Sequence, residues 1–234
     1  MHVIRMQHPA KNALGSDLMG WLEEELSRAG KEPILLTGTG DAFSAGLDLK
    51  EVASLDARGM ELFLRRLDTL ATRLFQHPAP VVACVNGHAI AGGAVLAACC
   101  DWRIAQRHPK TRIGTNEVAI GACFPPAILK IMLHRLDASV RERVLLGAGL
   151  FDVDAALAVG LVDEVVDDAE AAATKRLEAL AAHPRSTYAL TKANLRGSVA
   201  VITPADEKRF HEQEVPIWSS SEMKARVAAV LGKR

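Results

Sequence analysis

The pattern of hydrophobic and polar positions divides the chain into two parts. Up to about residue 137, short apolar runs that predict buried strands alternate with repeats near four residues that predict amphipathic helices. From residue 138 onward helical repeats dominate, with one brief strand pattern at 161–166. No internal repeat or low-complexity linker interrupts the chain. The pattern therefore predicts an α/β protein, with a β/α core over 1–137 and a helical C-terminal region over 138–234.

Individual elements are clearest in the first half. Leucines at every fourth position from 14 to 26 predict a helix that Ser16 or Asp17 caps and that Gly30 ends. Residues 38–49, rich in glycine and small side chains, are predicted to be a long connection that exposes backbone groups for binding. The other predicted strands are 3–6, 34–37, 81–85 and 102–105, and the other predicted helices are 60–74 and 124–136.

The stretch VVACVNGHAIAGGAVLAACCD, residues 81–101, is predicted to be a buried strand, a tight turn and a buried helix that begins at Gly92-Gly93. The first amides of a helix lack partners within it, so the N–H of Gly92 can point at an anion. Close packing of the glycines against a strand explains the same residues equally well, and both interpretations stay open. A phosphate-binding loop is excluded, because Gly93-Ala94 stands where Lys and Ser or Thr are needed.

Composition narrows the classes of function. The 28 Lys and Arg balance 28 Asp and Glu, so the chain lacks the basic excess typical of nucleic-acid-binding proteins. Its N-terminus has no apolar signal-peptide core, and no segment reaches the ~18 apolar residues of a membrane span. Apolar surroundings without CxxC spacing predict free thiols in a reducing compartment for the four cysteines. These are Cys84, Cys99, Cys100 and Cys123. The interpretation is a cytoplasmic protein without a nucleic-acid or membrane partner.

Three motifs in this order resemble the crotonase superfamily, also called the enoyl-CoA hydratase/isomerase family. They are FSAGLDL at 43–49, NGHAIAGG at 86–93 and IGTNE at 113–117. The stretch GAGLFDVDAALAVGLVDEVV at 147–166 is also similar, and the similarity extends to the end of the chain. Each motif alone is weak, and their order and spacing carry the resemblance. The resemblance also implies that this chain begins later than its relatives, within their first strand.

The resemblance implies a ClpP/crotonase-like spiral of ββα turns. It implies homotrimers or dimers of trimers whose C-terminal helices cover the site, and a place in fatty acid metabolism. The implied substrate is a coenzyme A thioester with its adenine near the backbone of residues 45–49. Its thioester oxygen would lie between the N–H groups of Leu47 and Gly92, where preorganised donors stabilise an enolate. The residues implied to bind substrate are Ala13, Ala45, Asp48 and Leu49.

The carboxylates distinguish between reactions of this family. Its hydratases use two glutamates to activate water; the first would fall at Val95, whereas the second matches Glu117. Because Val95 cannot transfer a proton, the sequence favours a shift of the double bond, in which one base takes a proton from C2 and returns it at C4. Residues 116–117 and 124–126 are most similar to Δ3,Δ2-enoyl-CoA isomerases. No metal and no redox cofactor is implied. The apolar neighbours expected to exclude water and raise the glutamate pKa are Val95, Val118, Ile120 and Phe124.

Alternatives remain for the function of the chain and for the roles of single residues. The chain could catalyse hydration with another acid, or bind acyl-CoA without catalysis, since one carboxylate and part of the N-terminus are missing. Glu117 could be a surface or capping residue. Asp48 is more typical of a turn former, His88 of a structural histidine, and Asp101 of a residue that binds nearby donors. Three lysines could contact coenzyme A phosphates or simply be solvated: Lys11, Lys50 and Lys192.

Overall fold

A computed structural model describes residues 1–232 and contains eight strands in that range. The strands are β1 His2–Arg5, β2 Ile34–Thr37, β3 Ala42–Ser44, β4 Val81–Val85, β5 His88–Ile90, β6 Trp102–Gln106, β7 Ile113–Gly114 and β8 Glu164–Val166. The helices of the first half are α1 Pro9–Asn12, α2 Ser16–Ala29, α3 Leu49–Ser54, α4 Ala57–Phe75, α5 Gly92–Cys99 and α6 Pro126–Arg135. The later helices are α7 Arg141–Leu145, α8 Val153–Ala158, α9 Ala169–Ala181, α10 Arg185–Arg196, α11 Pro204–Arg209, α12 Val215–Trp218 and α13 Ser221–Leu231.

The strands form two parallel sheets. The larger has the order β1-β2-β4-β6-β8, with Ile34 opposite Val81 and Val82 opposite Trp102, and the smaller has the order β3-β5-β7. Three times in succession, one strand enters the large sheet, the next enters the small sheet, and a helix follows. These repeated ββα turns confirm the spiral fold that the resemblance implies.

Helices cover both faces of the large sheet. The main apolar core contains α2, α4, α5 and α6, while α9 packs on the opposite face, where Leu177 meets Leu35 and Val82. The strand predicted at 161–166 is β8, which pairs with β6 and so adds to the sheet begun by the first half. Trp218 and Val230, near the end of the described residues, reach back to line a pocket in the first half. The division at residue 137 stays a prediction.

Three local predictions are wrong. Gly15, not Ser16 or Asp17, is the N-cap of α2, and the carboxylate of Glu51 accepts the N–H of Ser16 at 2.8 Å. Residues 38–49 contain the strand β3 and the start of α3, and β5 follows β4 after a two-residue turn. Strands of three residues are too short to show a period in the sequence. The predicted stop of α2 is confirmed, since Gly30 has φ 58° and its N–H bonds to the carbonyl of Leu26.

Gly87, in the turn between β4 and β5, packs closely against the backbone. A Cβ atom at this position would lie 2.1 Å from the carbonyl oxygen of Asp41. We expect Gly87→Ala to lower the free energy of unfolding by about 1–3 kcal/mol, because the backbone must separate to admit the methyl group. Thermal unfolding followed by circular dichroism measures the loss. Gly149→Ala is the control, since its Cβ would make only ordinary contact with Phe151, at 3.6 Å. Equal melting temperatures for the two variants would contradict the prediction.

Candidate active site

An apolar pocket of about 700 Å³, counting the open space at its mouth, lies where the ββα turns meet the C-terminal helices. Five of the predicted site residues line it together: Ala45, Leu47, Leu49, Gly92 and Glu117. Ala13 and Asp48 do not line it. Its other walls are mostly apolar and include Leu67, Ile90, Ala91, Val95, Asn116, Ile120, Cys123, Phe124, Pro125, Ile128, Trp218 and Val230.

Glu117 places a carboxylate inside this apolar pocket. The residue precedes a 3-10 turn at Val118–Ile120, and its carbonyl accepts the N–H groups of Ile120 and Ala122. The residue is only 7% exposed, and its side-chain Oε2 has no hydrogen-bond partner among residues 1–232. Burial raises the pKa of Glu117 to about 7, because removal from water disfavours the charged form. A carboxylate with this pKa can both accept and return a proton near neutral pH.

Two main-chain amides lie at the same pocket. Leu14 bridges to Leu47 in parallel: its N–H bonds to the carbonyl of Gly46 at 2.7 Å, and its carbonyl accepts the N–H of Asp48 at 3.1 Å. In a parallel bridge the N–H of the residue between these two partners points to the other side. The N–H of Leu47 therefore faces away from Leu14. It bonds to no acceptor within the described chain.

Gly92 supplies the second amide. It is the first residue of α5, so its N–H has no partner within the helix, and none elsewhere in residues 1–232. A Cβ at this position would lie 3.3 Å from Cδ2 of Leu47, which shows how closely the two segments approach. A pair of unpaired amides beside one buried carboxylate is an arrangement that can stabilise an oxyanion during proton transfer.

Close packing, one of the two interpretations of the glycines, is confirmed at Gly93, while a binding role for the Gly92 amide stays a prediction. A Cβ on Gly93 would lie 2.4 Å from the carbonyl oxygen of Ser44, so this glycine allows α5 to pack against β3. Ala91, just before the helix, has φ 49° and ψ −120°, a conformation that favours glycine. Backbone strain of this kind is common next to functional groups. Here it turns the chain so that α5 begins at the pocket.

Asn12, which the sequence analysis did not single out, makes buried contacts close to the pocket. It lies in α1, where Ala10, Lys11 and Asn12 have φ values of 53°, 60° and 57°. Its buried side-chain amide donates to the carbonyls of Ala42 and Phe43, and its main-chain carbonyl accepts the hydroxyl of Ser44 at 2.8 Å. The only signal in the sequence was an asparagine, a residue that tolerates the left-handed conformation. These bonds hold β3, which leads directly into the segment with Leu47.

Ala13 and Asp48 do not line the pocket. They are the sequence neighbours of Leu14 and Leu47, the two residues of the parallel bridge. The carbonyl of Ala13 accepts the N–H of Gly15 at 3.0 Å. The carboxylate of Asp48 caps α3, accepting the N–H groups of Lys50 and Glu51 at 2.9 and 3.3 Å. Asp48 therefore has the turn-forming contacts typical of aspartate in such loops. A substrate-binding role for either residue stays a prediction.

The expected apolar surroundings of Glu117 are correct except at one position. Val95, Ile120 and Phe124 line the pocket, but Val118 does not, and it is 44% exposed. The 3-10 turn after Glu117 points successive side chains in different directions, and Val118 faces outward. Asn116, which also lines the pocket, has an Oδ1 without a partner in the described residues.

Other candidate residues have structural contacts. Nδ1 of His88 accepts the N–H of Arg112 at 3.1 Å, as expected of a structural histidine. Lys192 is buried and binds Asp101 at 2.8 Å, so neither predicted alternative, phosphate contact or solvation, is correct for it. Lys11 pairs with Asp41 at 2.6 Å, and Lys50 is exposed. Residues 1–232 contain no group of three or more His, Cys, Asp or Glu side chains placed to hold a metal ion. Within the same range, no helix is long and apolar enough to span a bilayer.

Comparison with known proteins shows the family of the chain. The sequence matches the enoyl-CoA hydratase/isomerase family over residues 1–222, so the chain belongs to this family of acyl-CoA-processing enzymes. The crotonase-superfamily resemblance is thereby confirmed. The chain is similar to human mitochondrial enoyl-CoA delta isomerase 1, with 31% identity over 206 residues that cover 85% of this chain and 68% of the human protein.

Proteins with different names are also similar. A probable enoyl-CoA hydratase of Bacillus subtilis is 31% identical over 245 residues, covering 99% of this chain and 92% of that protein. Among solved structures, that of human mitochondrial delta3-delta2-enoyl-CoA isomerase superposes with a TM-score of 0.92 at 26% identity. The superposition covers 99% of this chain and 92% of the human one. The family is therefore shown, and both reaction types occur among the names of its similar members.

Proposed function

We propose that this protein moves the double bond of an enoyl-CoA from position 3 to position 2, with Glu117 as the only acid and base. The observation that carries the proposal is one buried carboxylate, whose Oε2 has no hydrogen-bond partner in the described chain, in an apolar pocket lined also by Gly92. Val95 occupies the position where the hydratases of the resemblance have their other glutamate. The similarity to human enoyl-CoA delta isomerase supports the same reaction.

The proposed reaction has two proton transfers. The Glu117 carboxylate takes a proton from C2, and the electron pair of that C–H bond delocalises onto the thioester oxygen. The N–H groups of Leu47 and Gly92 donate to this oxygen, and such a donor typically contributes ~10²–10³ in rate. Glu117, now protonated, returns the proton to C4, and the remaining double bond joins C2 and C3. The reaction is redox-neutral and its steps use only these groups, so the proposal includes no metal or cofactor beyond the coenzyme A of the substrate.

Conversion of a 3-enoyl-CoA into its conjugated isomer, followed by ultraviolet absorbance, tests the proposal directly. Hydration is the second candidate, because the Bacillus subtilis relative is named a probable hydratase. It predicts 3-hydroxyacyl-CoA from a 2-enoyl-CoA, detectable by mass spectrometry as the addition of water. Isomerisation without water addition would support the proposed isomerase. Water addition without isomerisation would contradict it and support a hydratase. Binding of both thioesters with turnover of neither would indicate an acyl-CoA-binding protein.

The pH dependence of isomerisation is expected to follow the ionisation of Glu117. Burial raises the pKa of this carboxyl group to about 7, and only the carboxylate form can accept the C2 proton. We therefore expect kcat/KM to rise with pH through about 7 and to level off above it. Steady-state rates from mildly acidic to mildly alkaline pH measure this curve. A rise centred near the ordinary glutamate value of 4.5 would contradict a buried base.

We also propose that the protein forms a homotrimer or a dimer of trimers in the cytoplasm. Several large apolar side chains are exposed on the single chain, as expected of a surface that another subunit covers. They include Leu62, Leu146, Leu150, Leu190 and Leu195. The four free cysteines, three of them buried, support a reducing compartment, although the similar human isomerase is named as mitochondrial. Sedimentation equilibrium tests the oligomeric state, and microscopy of the tagged protein tests the location.

A further inference from the structure

Asp68 forms an unusual connection between two helices beside the pocket. It belongs to α4, and its two carboxylate oxygens accept the N–H groups of Ala127 and Ile128, each at 3.0 Å. These are among the first amides of α6, which have no partners within their own helix. The N-cap of α6 is Pro125, whose side chain cannot accept a hydrogen bond. A carboxylate from another helix therefore caps α6.

Both helices joined by Asp68 contribute to the pocket wall at adjacent positions. Leu67, the residue before Asp68, lines the pocket from α4, and Ile128, whose amide Asp68 binds, lines it from α6. Phe124 and Pro125, which lead into α6, line it as well. The Asp68 carboxylate thus sets the separation of α4 and α6 where their side chains form the apolar wall.

The charges around Asp68 show that the two amides are its principal partners. The pKa of Asp68 is raised to about 6, mainly by burial and to a smaller extent by the carboxylate of Glu214. The amides of Ala127 and Ile128 lower it, as does the more distant Arg65. An ionised carboxylate that is partly removed from water without a close cation is costly to hold unless its hydrogen bonds are well made. Loss of these bonds would free the start of α6 to move.

We propose that Asp68 is a positioning residue that determines which acyl chains fit, acting through the α4–α6 wall of the pocket. The inference rests on the proposed function. The Leu47 and Gly92 amides hold the thioester, and Glu117 must reach C2 and C4, so the carbons beyond C4 extend along the remaining apolar wall. Leu67 and Ile128 belong to that wall. A shift of α6 changes the space for those distal carbons and leaves the reacting carbons in place.

Asp68→Asn tests this inference. Asparagine can accept one of the two N–H groups, but its own NH₂ then opposes the other, so the cap is half lost. The measurement is kcat/KM for a short and a long 3-enoyl-CoA, 3-hexenoyl-CoA and 3-dodecenoyl-CoA. We expect the long-to-short ratio to change by on the order of tenfold, because a displaced apolar wall discriminates on that scale. The rate with the short thioester should change about twofold or less.

Two further variants separate positioning from general loss of stability. Asp168→Ala removes the side-chain cap of another helix, α9, which is remote from the pocket; the Asp168 carboxylate accepts the N–H of Ala171 at 3.0 Å. It should leave the long-to-short ratio unchanged. Asp68→Glu keeps the carboxylate on a longer side chain, so it should stay folded and still change the ratio. An unchanged ratio in folded Asp68→Asn and Asp68→Glu would overturn the inference.

Failure of the proposed function is distinguishable from failure of this inference. If the wild-type protein isomerises neither thioester, the proposed function is wrong, and the role of Asp68 is then measured by binding alone. Calorimetric titration with saturated hexanoyl-CoA and dodecanoyl-CoA gives the same comparison without turnover. The ratio of the two dissociation constants should change about tenfold in Asp68→Asn and remain that of wild type in Asp168→Ala. An unchanged ratio in Asp68→Asn would overturn the inference independently of catalysis.

Discussion

Glu117→Gln is expected to lower kcat for the double-bond shift by about 10²–10⁴-fold, with little change in thioester binding. Glutamine has nearly the same shape, but its amide cannot accept the C2 proton and return it to C4. The Leu47 and Gly92 amides remain in place, so the substrate should still bind. Steady-state absorbance gives kcat, and calorimetric titration with a saturated acyl-CoA gives the affinity. Full turnover by Glu117→Gln would show that another group is the base.

The same substitution is expected to stabilise the protein at alkaline pH. The pKa of Glu117 is about 7 in the folded protein and 4.5 ordinarily, so the folded state disfavours the ionised form. Stability is therefore lost as pH rises from about 4.5 to about 7, by roughly 3 kcal/mol in total. Glutamine has no charge to bury and avoids this loss.

Urea unfolding at about pH 5 and about pH 8.5 measures the difference in stability. The free energy of unfolding of Glu117→Gln should exceed that of wild type clearly at the higher pH and only slightly at the lower pH. Glu178→Gln, on an exposed position of α9, is the control and should show no such pH-dependent gain. An equal effect of the two substitutions at alkaline pH would contradict the burial of an ionisable Glu117.

Asp101→Asn is expected to lower the free energy of unfolding by about 3–5 kcal/mol, since it leaves buried cations without a counter-charge. The Asp101 carboxylate contacts Lys192 and Arg196, each at 2.8 Å, and all three side chains are less than 10% exposed. It also accepts the hydroxyl of Tyr188 at 2.9 Å and the N–H of Val81 at 2.8 Å. This cluster joins α10 to the start of β4.

Lys192 shows how the cluster responds when Asp101 is neutralised. Burial lowers the pKa of Lys192 to about 8, whereas Asp101 raises it. Without Asp101, Lys192 should lose its proton near neutral pH, and Arg196 would remain charged and buried. Urea unfolding at neutral pH measures the loss. Asp154→Asn, which breaks an exposed pair with Arg107, is the control and should cost about 1 kcal/mol or less. Similar losses in both variants would contradict the prediction.

The sequence by itself was sufficient for the long elements and for several residues that line the candidate pocket. The leucine repeat of α2 and the apolar runs of β2 and β4 predicted these elements. A helix of several turns, or a buried strand of several residues, leaves a recognisable pattern of apolar side chains in the sequence. The order of three motifs led to Leu47, Gly92 and Glu117, which the structure brings to one pocket. It did not reveal β3 or β5, which are too short to show a period.

Only the tertiary structure decided how the polar residues are used. Lys192 is as polar as any surface lysine in the sequence, but its partner Asp101 lies 91 residues away. Asp68 meets the amides of α6 from 59 and 60 residues away, and the sequence around it resembles any amphipathic helix. Val118 and Glu117 are neighbours, yet one faces outward and the other lies buried in the pocket. Such outcomes depend on which distant segments pack together, and local residue patterns do not encode those contacts.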